Sequence, residues 1–233
     1  MLFGNSAALR VLRGQPVPAP LFNEEKEAAV GMGEQRRSEF ALGRQCARMA
    51  LAALGVPPIS LPRGLRGAPV WPAGYIGSIS HCDDFYCAVA GKTSDVIGLG
   101  IDVERIQPIE PELTDLICVR DETRRLSALT KVPGVDWANI FFSAKEAVYK
   151  CLFPLHGTFL EFGDISLALS VNASRSGGNF CVVELPSLTT DVRLDRLLGR
   201  WTVGAGFVLA GIAAVTSVDD CPRVRSAARH LRS

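Results

Sequence analysis

Three carboxylates and two lysines are spaced in this sequence so that they could handle a phosphorylated substrate. Asp102 and Glu104 close an apolar run in which Ile97, Leu99 and Ile101 alternate. A strand there sets both carboxylates on one face at i and i+2. Nothing basic stands between them, so they end either in water or around a cation. Glu146 belongs to a second run, where Trp137, Ile140, Phe141, Ala144, Val148 and Leu152 recur at helical spacing. At about 100° per residue, Glu146 lies nearly opposite that stripe and Lys145 at its edge. Brought face to face, strand end and helix would offer Asp102, Glu104 and Glu146 as oxygen donors to a hard divalent cation. Lys145 and Lys150 would stand beside it for phosphates, as a magnesium-assisted transfer of a phosphorylated group requires.

Each feature alone has an ordinary reading. Asp102 and Glu104 suit a solvated strand end, and Glu146 with Lys150 suits an i, i+4 ion pair worth about 0.3–0.5 kcal/mol. Gly98 and Gly100 suit close backbone packing. The conjunction is more specific. Gly100-Ile101-Asp102-Val103-Glu104 followed by Phe142-Ser143-Ala144-Lys145-Glu146-Ala147-Val148-Tyr149-Lys150 resembles the paired signature of the 4′-phosphopantetheinyl transferases. Within them it resembles the larger monomeric type that serves surfactin, enterobactin and polyketide synthases. Two further stretches agree in order: Arg36-Arg37-Ser38-Glu39-Phe40 to Arg44, and Gly77-Ser78-Ile79-Ser80-His81-Cys82. The resemblance covers residues 30–215, and Trp71-Pro72 and Phe153-Pro154 give it an actinobacterial cast.

The resemblance implies an α+β fold of two similar α/β subdomains related by a pseudo-twofold axis, with coenzyme A in the cleft between them. It implies Arg36, Arg44, Arg66, Ser80, His81, Lys145 and Lys150 as coenzyme-binding residues, and Asp102, Glu104 and Glu146 as ligands of Mg²⁺, with Mn²⁺ as an alternative. It implies catalytic roles for Asp102, Glu146 and Lys150; the candidate base for the attacking serine is Glu146, directly or through a metal-bound water, with a neutral Lys150 of strongly lowered pKa as the alternative. The partners implied are coenzyme A and apo acyl or peptidyl carrier proteins or carrier domains of polyketide and nonribosomal peptide synthetases. Taken alone, His81 beside Asp83 and Asp84 reads as a surface histidine, and the arginines of residues 36–48 as a solvated border. A coenzyme A-binding regulator without turnover, or a metal-dependent pyrophosphate hydrolase, would use the same residues.

The elements that must position these groups follow from pattern. Residues 1–20 read as a proline-bearing lead without the apolar core of a signal peptide. Asn23 reads as the cap of a first helix, and a longer one runs over residues 34–54. Residues 75–81 read as a strand, and residues 85–90 and 95–103 as the two arms of a hairpin. The signature helix spans residues 136–152, capped by Asp136 and stopped by Phe153-Pro154. Strands follow near 165–171, 180–185 and 201–215. The boundary falls after residue 106, giving an N-terminal subdomain of residues 1–106, a C-terminal one of 107–218 and a tail of 219–233. With 25 basic against 24 acidic residues, the chain has no global field for nucleic acid or an anionic membrane. Its seven scattered cysteines read as reduced, mostly buried cytosolic thiols, and the resemblance implies a cytoplasmic monomer.

Overall fold

The computed structural model describes residues 2–3, 7–126, 134–186 and 192–216. In chain order the elements are β1 (Ala7–Arg13), α1 (Asn23–Ala28), α2 (Glu34–Ala52), β2 (Tyr75–Cys82), β3 (Phe85–Lys92), β4 (Val96–Arg105), α3 (Pro111–Ile117), α4 (Arg120–Leu126), α5 (Trp137–His156), β5 (Ser166–Leu169), β6 (Gly177–Glu184), β7 (Leu197–Gly204) and β8 (Phe207–Val215). Two antiparallel sheets form, one ordered β1-β3-β2 and the other β4-β8-β7-β6-β5. This is the mixed α+β architecture expected, with one long helix on the outer face of each sheet.

Alternation along the strands builds the layers. Tyr86, Ala88 and Ala90 of β3 pack against Leu42, Cys46, Ala47, Ala50 and Leu51 of α2. Phe85, Cys87 and Val89, on the opposite face of β3, meet Leu99, Ile101 and Val103 of β4, so a buried apolar layer joins the two sheets. The remaining face of β4 carries Gly98, Gly100, Asp102 and Glu104 toward α5. Ile140, Phe141, Ala144, Val148 and Leu152 of that helix sink into the core over β7 and β8. The buried stripe read from the sequence is therefore the one the fold uses.

Four local expectations are corrected. Residues 85–103 do not make a hairpin: β3 pairs with β1 and β2, whereas β4 pairs with β8 from Val96↔Val215 to Arg105↔Phe207. The true hairpin is β2–β3, turning at Asp83-Asp84 with Asp83 at φ 50°. The lead contains β1, whose half-exposed residues gave no clean alternation. Phe22, not Asn23, caps α1, and Glu25 rather than a cap side chain accepts its amide at 2.9 Å. Finally, α5 runs through Pro154 to His156 and ends at Gly157, φ 65°. Buried Leu152 and Phe153 anchor its last turn despite the missing proline N–H, and the left-handed glycine closes it.

Arg48 is likewise no solvated border residue. Its guanidinium lies 2.7 Å from Glu25 Oε1, a carboxylate fully withdrawn from solvent that also accepts the Leu61 amide at 3.0 Å. This pair fastens α1 and the segment before Pro62 onto α2. Among the described residues no disulfide forms, and no helix is long and apolar enough to cross a membrane.

Candidate active site

Two glycines let α5 lie directly on β4. A Cβ on Gly98 would stand 2.9 Å from Cys151 Sγ, and one on Gly100 would collide with the Ala147 carbonyl. Hydrogen bonds between side chains complete the join with β2. Ser78 Oγ accepts the Ile101 amide at 3.2 Å, and Ser80 Oγ donates to Asp102 Oδ1 at 2.9 Å. These contacts bring the end of β4, the middle of α5 and the end of β2 together.

At the centre is Asp102, 1% exposed. Its Oδ1 accepts from Lys150 Nζ at 2.5 Å, and Nζ also donates to Ser80 Oγ at 3.2 Å. Glu146 Oε2 stands 3.9 Å from the same ammonium. Burial works against the Lys150 charge, but Asp102 and then Glu146 outweigh it and raise its pKa. Burial pushes the Glu104 carboxyl up to about 7, with the charge of Asp102 adding to it. Burial and Asp102 also raise Glu146, against the pull of Lys150. Three carboxylates thus crowd one ammonium that cannot neutralise them all.

Asp102 Oδ2 is buried and has no hydrogen-bond partner. An orphaned carboxylate oxygen beside two carboxyls reluctant to ionise is an all-oxygen donor set suited to a hard divalent cation. As the side chains are arranged, with Lys150 among them, no group of three ligating residues is poised to hold an ion among the described residues. The donor chemistry fits; the arrangement must adjust.

Beside this cluster opens a cleft of about 240 Å³, lined by Arg36, Arg44, Ser80, His81 and Lys150 among others. Arg44 is 5% exposed. Its Nε donates to the Leu61 carbonyl at 3.0 Å, its guanidinium lies 4.2 Å over the Phe40 ring, and one terminal nitrogen has no partner. Burial lowers its pKa to about 10, which leaves it charged at neutral pH. Arg36 bridges Glu39 at 3.1 Å and His81 Nε2 at 2.8 Å. A guanidinium only donates, so Nε2 accepts and the imidazole is neutral. Burial holds the His81 pKa below 6.5, with Arg36 opposing Glu39's upward pull. A buried cation with a free donor, a second arginine and a chargeable imidazole make an anion-binding wall.

Two expected residues lie elsewhere. Lys145 does not line the cleft: it is fully buried, and its Nζ donates to Ile117 O at 2.7 Å, Glu122 Oε2 at 2.7 Å and Phe162 O at 2.9 Å. Arg66, at φ 50°, has its guanidinium 5.8 Å over the Phe159 ring while the neighbouring Gly67 reaches the cleft wall. Glu39 and Glu122 had no role in the sequence reading. Glu39 lies one turn from Arg36, a spacing that marks a helix pair. Glu122 accepts the Val119 and Leu167 amides as well as Lys145, partners that only the fold reveals. A larger cavity of about 410 Å³, by Arg120, Asp164 and Glu184, shares no residue with this cluster.

Comparisons with known proteins identify the family. A sequence model of the 4'-phosphopantetheinyl transferase N-terminal domain matches residues 24–91, and one of the 4'-phosphopantetheinyl transferase superfamily matches residues 98–202. The chain belongs to that superfamily. It is 38% identical over 194 residues to 4'-phosphopantetheinyl transferase Svp of Streptomyces mobaraensis, covering 83% of this chain and 78% of the relative. To 4'-phosphopantetheinyl transferase PptT of Mycobacterium tuberculosis the identity is 36%, covering 76% and 79%. Enterobactin synthase component D of Salmonella typhimurium is 38% identical, covering 86% and 80%.

Proposed function

We propose that this protein moves the 4′-phosphopantetheine group of coenzyme A onto a serine of an apo acyl or peptidyl carrier protein, releasing 3′,5′-ADP. One observation supports it above the rest: the buried Asp102–Lys150–Ser80 cluster opens into a cleft where Arg44 keeps an unused, buried donor. The carrier serine attacks a phosphate that is already negative, so charge neutralisation is the main catalytic need. Arg36, Arg44 and His81 hold and neutralise the coenzyme's phosphates. Lys150 offsets charge growing on the leaving 5′-phosphate of 3′,5′-ADP. Glu146, directly or through a bound water, accepts the serine proton. Mg²⁺ or Mn²⁺ would be held by Asp102, Glu104 and Glu146, and would supply Lewis-acid stabilisation of the same charge.

The division of labour follows the two parts of the chain. Residues 1–106 supply the coenzyme-binding arginines and the acidic strand end; residues 107–218 supply the signature helix and the carrier contact. The substrate is a cytoplasmic carrier of a fatty-acid, polyketide or peptide-synthetase pathway, or several of these, and a monomer contains the whole site. Lys145 and Arg66 enter this reading as supports of the cleft rather than phosphate ligands.

Intact-mass spectrometry of a panel of apo carriers, incubated with the protein, coenzyme A and Mg²⁺, tests the reading. A phosphopantetheine-sized gain that disappears in Asp102→Ala is expected. No gain on any carrier, with coenzyme A still bound, sinks it. Phosphopantetheine released without any carrier, at a comparable rate, points to a hydrolase instead.

A further inference from the structure

Lys150 stands on the border between an acidic cluster and a cationic cleft. On one side its Nζ lies 2.5 Å from Asp102 Oδ1, 3.2 Å from Ser80 Oγ and 3.9 Å from Glu146 Oε2. On the other it lines the same cleft as Arg36, Arg44 and His81. The charges of Asp102 and Glu146 hold the ammonium on the acidic side, where it occupies space among the carboxylates.

We propose that Lys150 is a built-in counter-ion that a divalent cation must displace. Free of metal, the protein uses this ammonium to neutralise Asp102. A divalent ion arriving among Asp102, Glu104 and Glu146 takes over that charge and expels Nζ into the cleft, where a phosphate receives it.

Several observations carry this. The ammonium satisfies Oδ1 and leaves Asp102 Oδ2 buried without a partner, so one cation is in place while a second binding direction stays open. No group of three ligating side chains is poised for an ion among the described residues, so the carboxylates must rearrange around any ion they take. The lysine side chain is 27% exposed against 2% for Asp102, so the lysine is the member free to move, on a flexible four-carbon stem. Ser80 Oγ, which donates to Asp102 and accepts from Lys150, can keep its bond to Asp102 after the ammonium leaves.

The consequence is coupling between metal and phosphate. The ion frees Lys150 for the phosphate, and the phosphate draws Lys150 away from the ion's ligands, so each binds more tightly in the presence of the other. The nature of that phosphate rests on the transferase reading; the competition between ammonium and ion does not.

Mn²⁺ alone, titrated without coenzyme A and followed by the electron paramagnetic resonance of the free ion, provides the test. Lys150→Met is expected to bind Mn²⁺ at least about tenfold more tightly than the wild type, because a competing charge a few ångströms away is gone. Lys150→Arg, which keeps the charge, binds no more tightly than the wild type, and Asp102→Asn loses the site. Equal or weaker Mn²⁺ binding by a folded Lys150→Met, or no Mn²⁺ binding by any variant, overturns the proposal. If Lys150→Met does not fold, the Cε resonance of Lys150 in the wild type decides: it shifts when Mg²⁺ is added if the ammonium is displaced, and stays if it is not. Carrier modification is measured separately. Transfer without this competition overturns only the displacement; competition without transfer overturns only the transferase reading.

Discussion

Gly100 of β4 and Ala147 of α5 are in backbone contact, and there is no room between them for a side chain. The two halves of the signature meet because of that contact. It sets the distance from Asp102 to Lys150, two residues and one helical turn away respectively.

Gly100→Ala should therefore push α5 off the sheet. Overpacking of this kind costs about 1–3 kcal/mol, and a displacement of about 1 Å at a reacting centre can lower turnover by about 100-fold. Urea denaturation and carrier modification, measured on the same preparation, should both show the loss. Wild-type turnover in a folded variant would mean that the helix position is not what aligns the site.

Lys145 gives a prediction that separates a structural lysine from a phosphate ligand. Its ammonium has three acceptors within 2.9 Å, one of them the buried Glu122 carboxylate. Lys145→Met leaves that carboxylate unpaired, and breaking a buried pair costs about 3–5 kcal/mol. Denaturation should register the loss, while calorimetry on the folded fraction finds coenzyme A affinity unchanged. Weakened coenzyme A binding with full stability would return Lys145 to the phosphate wall.

Arg44→Met should act in the opposite way. The guanidinium has one buried nitrogen without a partner in the free protein, and a charged hydrogen bond contributes about 1.5–3 kcal/mol. Coenzyme A should bind about 10- to 100-fold more weakly by calorimetry, and the 3′-dephospho form shows whether the 3′-phosphate is the group contacted.

His81 predicts a pH dependence. Burial holds its folded pKa below the ordinary 6.5. Between those two values the unfolded chain carries more protons than the folded one, so stability falls as pH drops through that window and is fully present above 6.5. A phosphate placed beside the imidazole favours its charged form, so coenzyme A should bind more tightly as pH falls from 7 toward that pKa, with net proton uptake. Imidazole resonances assigned with His81→Gln should titrate below 6.5 in the free protein and higher with ligand. A free midpoint at or above 6.5 would contradict the buried, Arg36-bonded ring.

The sequence by itself determined the local geometry of the site. Period-two alternation put Asp102 and Glu104 on one face of a strand, and period-3.6 recurrence buried Ile140, Phe141, Ala144 and Val148 and left Glu146 on the opposite side; that Glu146 and Lys150 meet Asp102 only the fold decides. The glycines were read as close packing, and they are. Such patterns fix which way a side chain points along its own element, because backbone geometry repeats. What covers that side chain is a long-range matter. Lys145 falls at the edge of the helical stripe, and only the arrival of Ile117, Glu122 and Phe162 decides that it is buried rather than offered to phosphate. Strand partnership is equally non-local: β3 and β4 are adjacent in sequence and both apolar, yet their backbone groups pair with β1 and β2 in one case and β8 in the other. An apolar strand has two usable edges and carries no local mark of which neighbour will fill them, so only the packed whole chooses.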